Sequence, residues 1–178
     1  MFNGAKSFKD EISNWNTSNV TTMYGMFNDA KEFNSDISRW DTSNVKYMSY
    51  MFNDAEKFDQ DISNWNTSNV IDMEGMFNGA ILFNNDNLPL ITKTVSIDEK
   101  SYTAWDVSNV INMEIMFNKA TSFNQSISNW DTSNVTNMTS MFSEAKSFEG
   151  NISNWNTSKV TSMKGMFLEV KKFNSDIT

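Results

Sequence analysis

The chain contains no cysteine and no histidine in its 178 residues. Without cysteine there can be no disulfide and no thiol nucleophile, and without histidine there is no imidazole for acid–base work. The same absences remove the usual ligands of nearly every transition metal. Positive charge is also scarce: 14 Lys and Arg stand against 22 Asp and Glu, for a net charge of −8. Nucleic acids and anionic membranes bind basic surfaces, so neither is an expected partner. No apolar run approaches the length that spans a bilayer, and no membrane insertion by this chain is expected. The chain carries no secretory signal and no lipid-acceptor cysteine.

What is present is aromatic and repetitive. There are 14 Phe, 13 Met and 6 Trp, and such a chain buries something, because disordered chains avoid aromatics. The string ISNWNTSNV occurs at residues 12–20 and again at 62–70, with ISRWDTSNV between them at 37–45. The period is 25. Units begin at Met1, Met26, Met51, Met76, Met116, Met141 and Met166. In the first unit the apolar columns are Met1, Phe2, Ala5, Phe8, Ile12, Trp15, Val20 and Met23. Met, Phe, Ala and Phe at unit positions 1, 2, 5 and 8 fit one face of two helical turns, a helix too short to stand alone. DISNW and NVTTM read as short strands, separated by Asn/Asp-Thr-Ser corners that bond their own backbone. Such units enclose a core only when stacked. The predicted fold is one α+β repeat solenoid over 1–178, each coil carrying a short helical turn and one or two short parallel strands. Ser18, Asn19 and their equivalents are expected to form a buried polar ladder at a corner.

The fourth unit runs for 40 residues from Met76 to Ile115. The fifteen extra residues lie between Phe83 and Trp105, in a stretch with the only proline, Pro89. ITKTVSI and KSYTA alternate around Asp98-Glu99, which predicts a β-hairpin insertion at about 86–104.

The string WDTSNVTNMTSMF at 130–142, followed by A-x-x-F-x-x-x-I-S-x-W, resembles the BspA-like leucine-rich-repeat surface proteins, in their mycoplasma-type branch catalogued as domain of unknown function 285. The inserted LITKTVSIDEKSYTAWDVSNV resembles a segment of that branch. The resemblance covers essentially the whole chain. It implies a right-handed, leucine-rich-repeat-like solenoid on a bacterial surface lipoprotein, with roles in adhesion, host contact or antigenic variation. It implies no ligand, because the family has no shared binding residues to carry over.

Function is therefore sought where the units differ. Tyr24, Tyr47 and Tyr50 are off-pattern aromatics in adjacent units, with Lys46 among them and the acidic Asp72, Glu74 and Glu114 beside them. Tyrosine is enriched where surfaces bind partners. These seven residues are the candidate binding patch, with half-buried gap-filling as the alternative for the tyrosines. Other chemistry is weaker. The Trp column reads as core, and the Thr17 column as a corner. Scattered carboxylates carry no calcium-binding signature, so no metal or cofactor is expected. No paired carboxylates or serine–base pair stands off-pattern, so an enzyme is not expected. The expected partner is a host or extracellular-matrix protein or a glycan, met at the cell surface. The alternative is a structural or antigenic stalk without a dedicated ligand. Neither end looks capped, which predicts end-to-end self-association or a larger parent protein.

Overall fold

Consecutive β-turns, rather than helix or sheet, build each repeat. The computed structural model describes residues 1–97 and 100–175. In the first unit the N–H of Ala5 donates to the Phe2 carbonyl (3.0 Å), Phe8 to Ala5 (2.9 Å), Trp15 to Ile12 (3.1 Å) and Val20 to Thr17 (2.9 Å). Every one of these bonds spans three residues. The 2–5–8 spacing of Phe, Ala and Phe is thus the spacing of successive turns, not of a helical face. A helix is blocked at unit position 4, where Gly4, Asp29, Asp54, Gly79, Lys119, Glu144 and Glu169 all have φ between 53° and 74°. Left-handed backbone suits Gly and is tolerated by Asp, but it does not propagate a right-handed helix.

The donors a helix would use internally are used between coils instead. Phe27 N–H donates to the Met51 carbonyl (2.9 Å) and Asp29 to Asn53 (2.7 Å), one unit further on. Met23 donates to Tyr47 (2.9 Å) and Gly25 to Ser49 (2.9 Å) on the next side. The same bonds recur down the chain and cross the long fourth unit, as from Gly79 to Asn118 (2.8 Å).

The expected α+β solenoid is therefore corrected. Among the described residues there is no α-helix, and the only strands form one antiparallel pair. Where parallel strands were expected, each unit contributes a single parallel bridge, running Thr22, Tyr47, Asp72, Asn112, Asn137 and Ser162. The segment cannot lengthen into a strand because turns close on both sides, at Thr17–Val20 and at Met23–Met26.

The core consists of stacked columns. Phe27 lies 3.8 Å from Phe33 within one coil, and Phe52 lies 3.8 Å from Phe58 in the next. Phe27 stacks on Phe52 at 5.7 Å and Phe33 on Phe58 at 5.8 Å, so two phenylalanine columns run side by side. Trp40, Trp65, Trp105, Trp130 and Trp155 are buried beside them. Each indole N–H is satisfied by the preceding coil: Trp40 donates to the Ile12 carbonyl (3.1 Å), Trp65 to Ile37 (3.2 Å) and Trp105 to Ile62 (2.8 Å). No buried side-chain polar atom among the described residues lacks a partner.

Polar columns tie the corners. The buried one is threonine: Thr17, Thr42, Thr67 and Thr132 each donate a hydroxyl to a carbonyl of the next coil, at 2.8–3.0 Å. The expected buried Ser18–Asn19 ladder is corrected to an outer one. Asn44, Asn69, Asn109 and Asn134 each donate an amide to a carbonyl of the preceding coil at 2.6–2.8 Å, from exposed or half-exposed positions. An inner asparagine ladder joins Asn28, Asn53, Asn78 and Asn118 through their side chains at 2.6–2.7 Å.

The extra residues of the fourth unit enter at two places. Three form a 3-10 turn, Asn85–Asn87, with φ of 54°, 49° and 60°. The rest lie between Leu90 and Trp105. Trp130 donates its indole N–H to the Leu90 carbonyl (2.6 Å), so buried Leu90 takes the place isoleucine holds in the other coils. Strand β1 (Lys93–Ile97) pairs antiparallel with β2 (Lys100–Ala104). Asp98 and Glu99, between them, lie outside the described residues. The hairpin folds back on the preceding coil, where the Tyr102 hydroxyl donates to the Asn64 carbonyl (2.6 Å) and Ala104 bridges Asn66.

Candidate functional site

The edge of the stack at unit positions 21–25 carries the seven candidate residues. Its rule is local. A short polar side chain at position 22 caps the backbone N–H two residues on: Asp72 for Glu74, Asn112 for Glu114 and Asn137 for Thr139, each at 3.0 Å. Tyr47 holds this position in the second coil and has no side-chain oxygen short enough for that turn. Its ring stands 44% exposed, while Tyr24 on the first coil is 64% exposed and Lys46 is exposed beside it.

The remaining four residues form the support behind that face. Tyr50 is half-buried and meets Tyr24 edge-on, with ring centroids 6.0 Å apart. Its hydroxyl donates to Glu74, whose other oxygen accepts from the Asn112 amide (3.1 Å). Glu114 accepts from the Asn137 amide (2.7 Å), and Asp72 is engaged in its own turn. Burial pushes the Tyr50 phenol well above its ordinary value, and the hydrogen bond to Glu74 acts in the same direction. The geometry brings Tyr24 onto Tyr50 and Tyr50 onto Glu74. It commits the three carboxylates to the stack rather than presenting them as an open acidic patch.

Two supporting features escaped the sequence reading. Tyr50 and Ile115 occupy a position that is left-handed in every coil, with φ of 57° and 49°, and between them sits Gly75. Their side chains lie to either side of Gly75, where a β-carbon would meet both. The recurring Gly25, Gly75 and Gly165 at this position were the available signal. The second feature is a cleft of about 650 Å³ where the hairpin faces coils two and three, lined in part by Arg39, Asp41 and Tyr102. Its sequence signal is Arg39, the single arginine, standing where other coils have Asn14, Asn64, Asn129 and Asn154.

Among the described residues no group of three or more acidic side chains stands close enough to hold a metal ion. Nor is any helix among them long and apolar enough to cross a membrane. No curated protein and no solved structure matches the chain. A family model described as "Mycoplasma protein of unknown function, DUF285" matches it twice, over residues 1–91 and 89–178. Those two matches span the sequence from end to end, and the chain belongs to that mycoplasma family.

Proposed function

We propose that this chain is a protein-binding module displayed on the bacterial cell surface, and that its partner contacts the aromatic edge formed by Tyr24, Lys46 and Tyr47. The observation that carries the proposal is the exposure of Tyr24 and Tyr47 beside phenylalanine and tryptophan columns that are buried from Phe27 to Trp155. A tyrosine ring offers a large, rigid contact with a polar tip at little entropic cost. Lys46 adds a positive charge to a chain of net charge −8, which favours a partner patch combining apolar and acidic groups. The resemblance to BspA-like surface proteins supports display at the surface.

The test is surface plasmon resonance against purified extracellular-matrix proteins, with a Tyr24→Ala/Tyr47→Ala double variant alongside. Both side chains are exposed, so the variant keeps its melting temperature while binding is lost. Absence of saturable binding by the native chain, or equal binding by the variant, refutes the reading. A second reading, a spacer without a ligand, is favoured by the backbone hydrogen bonds that join every coil to the next, as from Met23 to Tyr47 and on to Met138 and Ser162. It predicts that no substitution on this edge alters any interaction.

A further inference from the structure

We propose that the cleft between the inserted hairpin and coils two and three is a carbohydrate site that takes a short, neutral oligosaccharide. This site is separate from the tyrosine edge and does not rest on it. The cleft, at about 650 Å³, falls in the range that holds small ligands. Its walls come from three places in the chain: Arg39 and Asp41 on coil two, Asn64 and Asn66 on coil three, and Ser101 and Tyr102 on β2. The hairpin wall is held in place by the Tyr102 hydroxyl on the Asn64 carbonyl and by the Ala104–Asn66 bridge.

The chemistry of the walls selects the ligand class. Arg39 is exposed and makes no hydrogen bond or ion pair among the described residues, leaving its fork of donors open. Asp41 uses one oxygen to cap the Ser43 N–H (2.9 Å), and its second oxygen has no partner among the described residues. Asn66 uses its side-chain oxygen on Ser68, and its amide nitrogen makes no hydrogen bond among the described residues. A planar donor fork, a carboxylate oxygen and amide groups around one space match adjacent sugar hydroxyls, each of which donates and accepts. Asp41 and Tyr102 line the cleft together, and burial, followed by the Asp41 charge, raises the Tyr102 phenol. The ring supplies the apolar surface against which the C–H face of a pyranose packs. Arg39 and Asp41 cancel in charge, which favours a neutral ligand. A peptide strand has little purchase here, because β2 is paired to β1 on one side and bridged to Asn66 at Ala104 on the other.

The test is titration of the full chain with a panel of neutral trisaccharides ending in galactose, glucose, mannose or N-acetylglucosamine, followed by NMR. Sialylated counterparts run in parallel. Arg39→Gln and Asp41→Asn are the variants; the amide oxygen introduced by Asp41→Asn can still cap Ser43, and circular dichroism checks the fold. A third variant, Ser101→Trp, fills the cleft from the hairpin side, and Tyr24→Ala/Tyr47→Ala serves as the control. Saturable binding of at least one neutral sugar is expected. It should weaken by roughly tenfold or more in each cleft variant and be unchanged in the tyrosine control. No saturable binding up to millimolar concentration overturns the proposal. So does binding only to the sialylated sugars, or equal binding by the folded Ser101→Trp and Asp41→Asn variants.

Discussion

The ring of Tyr50 lies against Gly75, its counterpart one coil further on: a β-carbon built on Gly75 would sit 2.7 Å from two atoms of that ring. Both residues hold the left-handed position, each with φ of 57°. Tyrosine can occupy that column because glycine follows it. Gly75→Ala adds a strained φ and a ring clash together, and a loss of about 2 kcal/mol is expected. Urea denaturation measures it. The double variant Tyr50→Ala/Gly75→Ala should show less than the sum of the two single losses, because the clash is absent from it.

Ile115 holds the same position in the fourth coil at φ 49°, a poor conformation for a β-branched side chain. Ile115→Asn should relieve backbone strain and raise stability by about 1 kcal/mol, offset in part by lost packing over Gly75. An unchanged or lower melting temperature would mean that the packing outweighs the strain.

Asn78 sits in the middle of the inner amide ladder. It donates to the Asn53 oxygen (2.6 Å) and accepts from the Asn118 amide (2.7 Å). Asn78→Ala leaves both neighbours short of a partner, with an expected cost of roughly 1–3 kcal/mol. Asn118→Ser should cost less, since the ladder already ends at a serine, Ser143, in the next coil. Chemical denaturation of both variants gives the comparison.

Tyr50 makes the stack sensitive to alkali. Its phenol is raised above the ordinary value of 10.0, first by burial and then by its hydrogen bond to Glu74. The neutral form is therefore favoured in the folded chain. The stabilisation this provides is full below the unfolded value and is lost as pH rises past it toward the folded one. Native chain should lose stability between pH 9 and 11 more steeply than Tyr50→Phe. Urea midpoints across that window decide it, and parallel slopes would refute the role of the phenol.

Much of the architecture was legible because a repeat states its own core. The columns from Phe27 to Phe148 and from Trp40 to Trp155 are buried where the 25-residue period placed them. The helical reading failed because Phe, Ala and Phe at every third residue suit both a helix and a chain of turns. Asp29, Lys119 and Glu144, all left-handed, separate the two, and their side chains do not announce that conformation. Of the candidate patch, the exposed Tyr24, Lys46 and Tyr47 could be picked out as departures from the pattern. The engagement of Asp72, Glu74 and Glu114 could not, because it depends on neighbours in adjacent coils.

By itself, the sequence determined the period, the buried columns and the exclusion of thiol and imidazole chemistry, since these follow from residue identity and spacing along one chain. Only the tertiary structure decided that the backbone donors bond between coils, that Leu90 replaces isoleucine under Trp130, and that the hairpin folds back to face Arg39 and Asp41. Each of those is a contact between residues far apart in the chain. Such contacts are settled by which packing leaves no buried polar group unpaired.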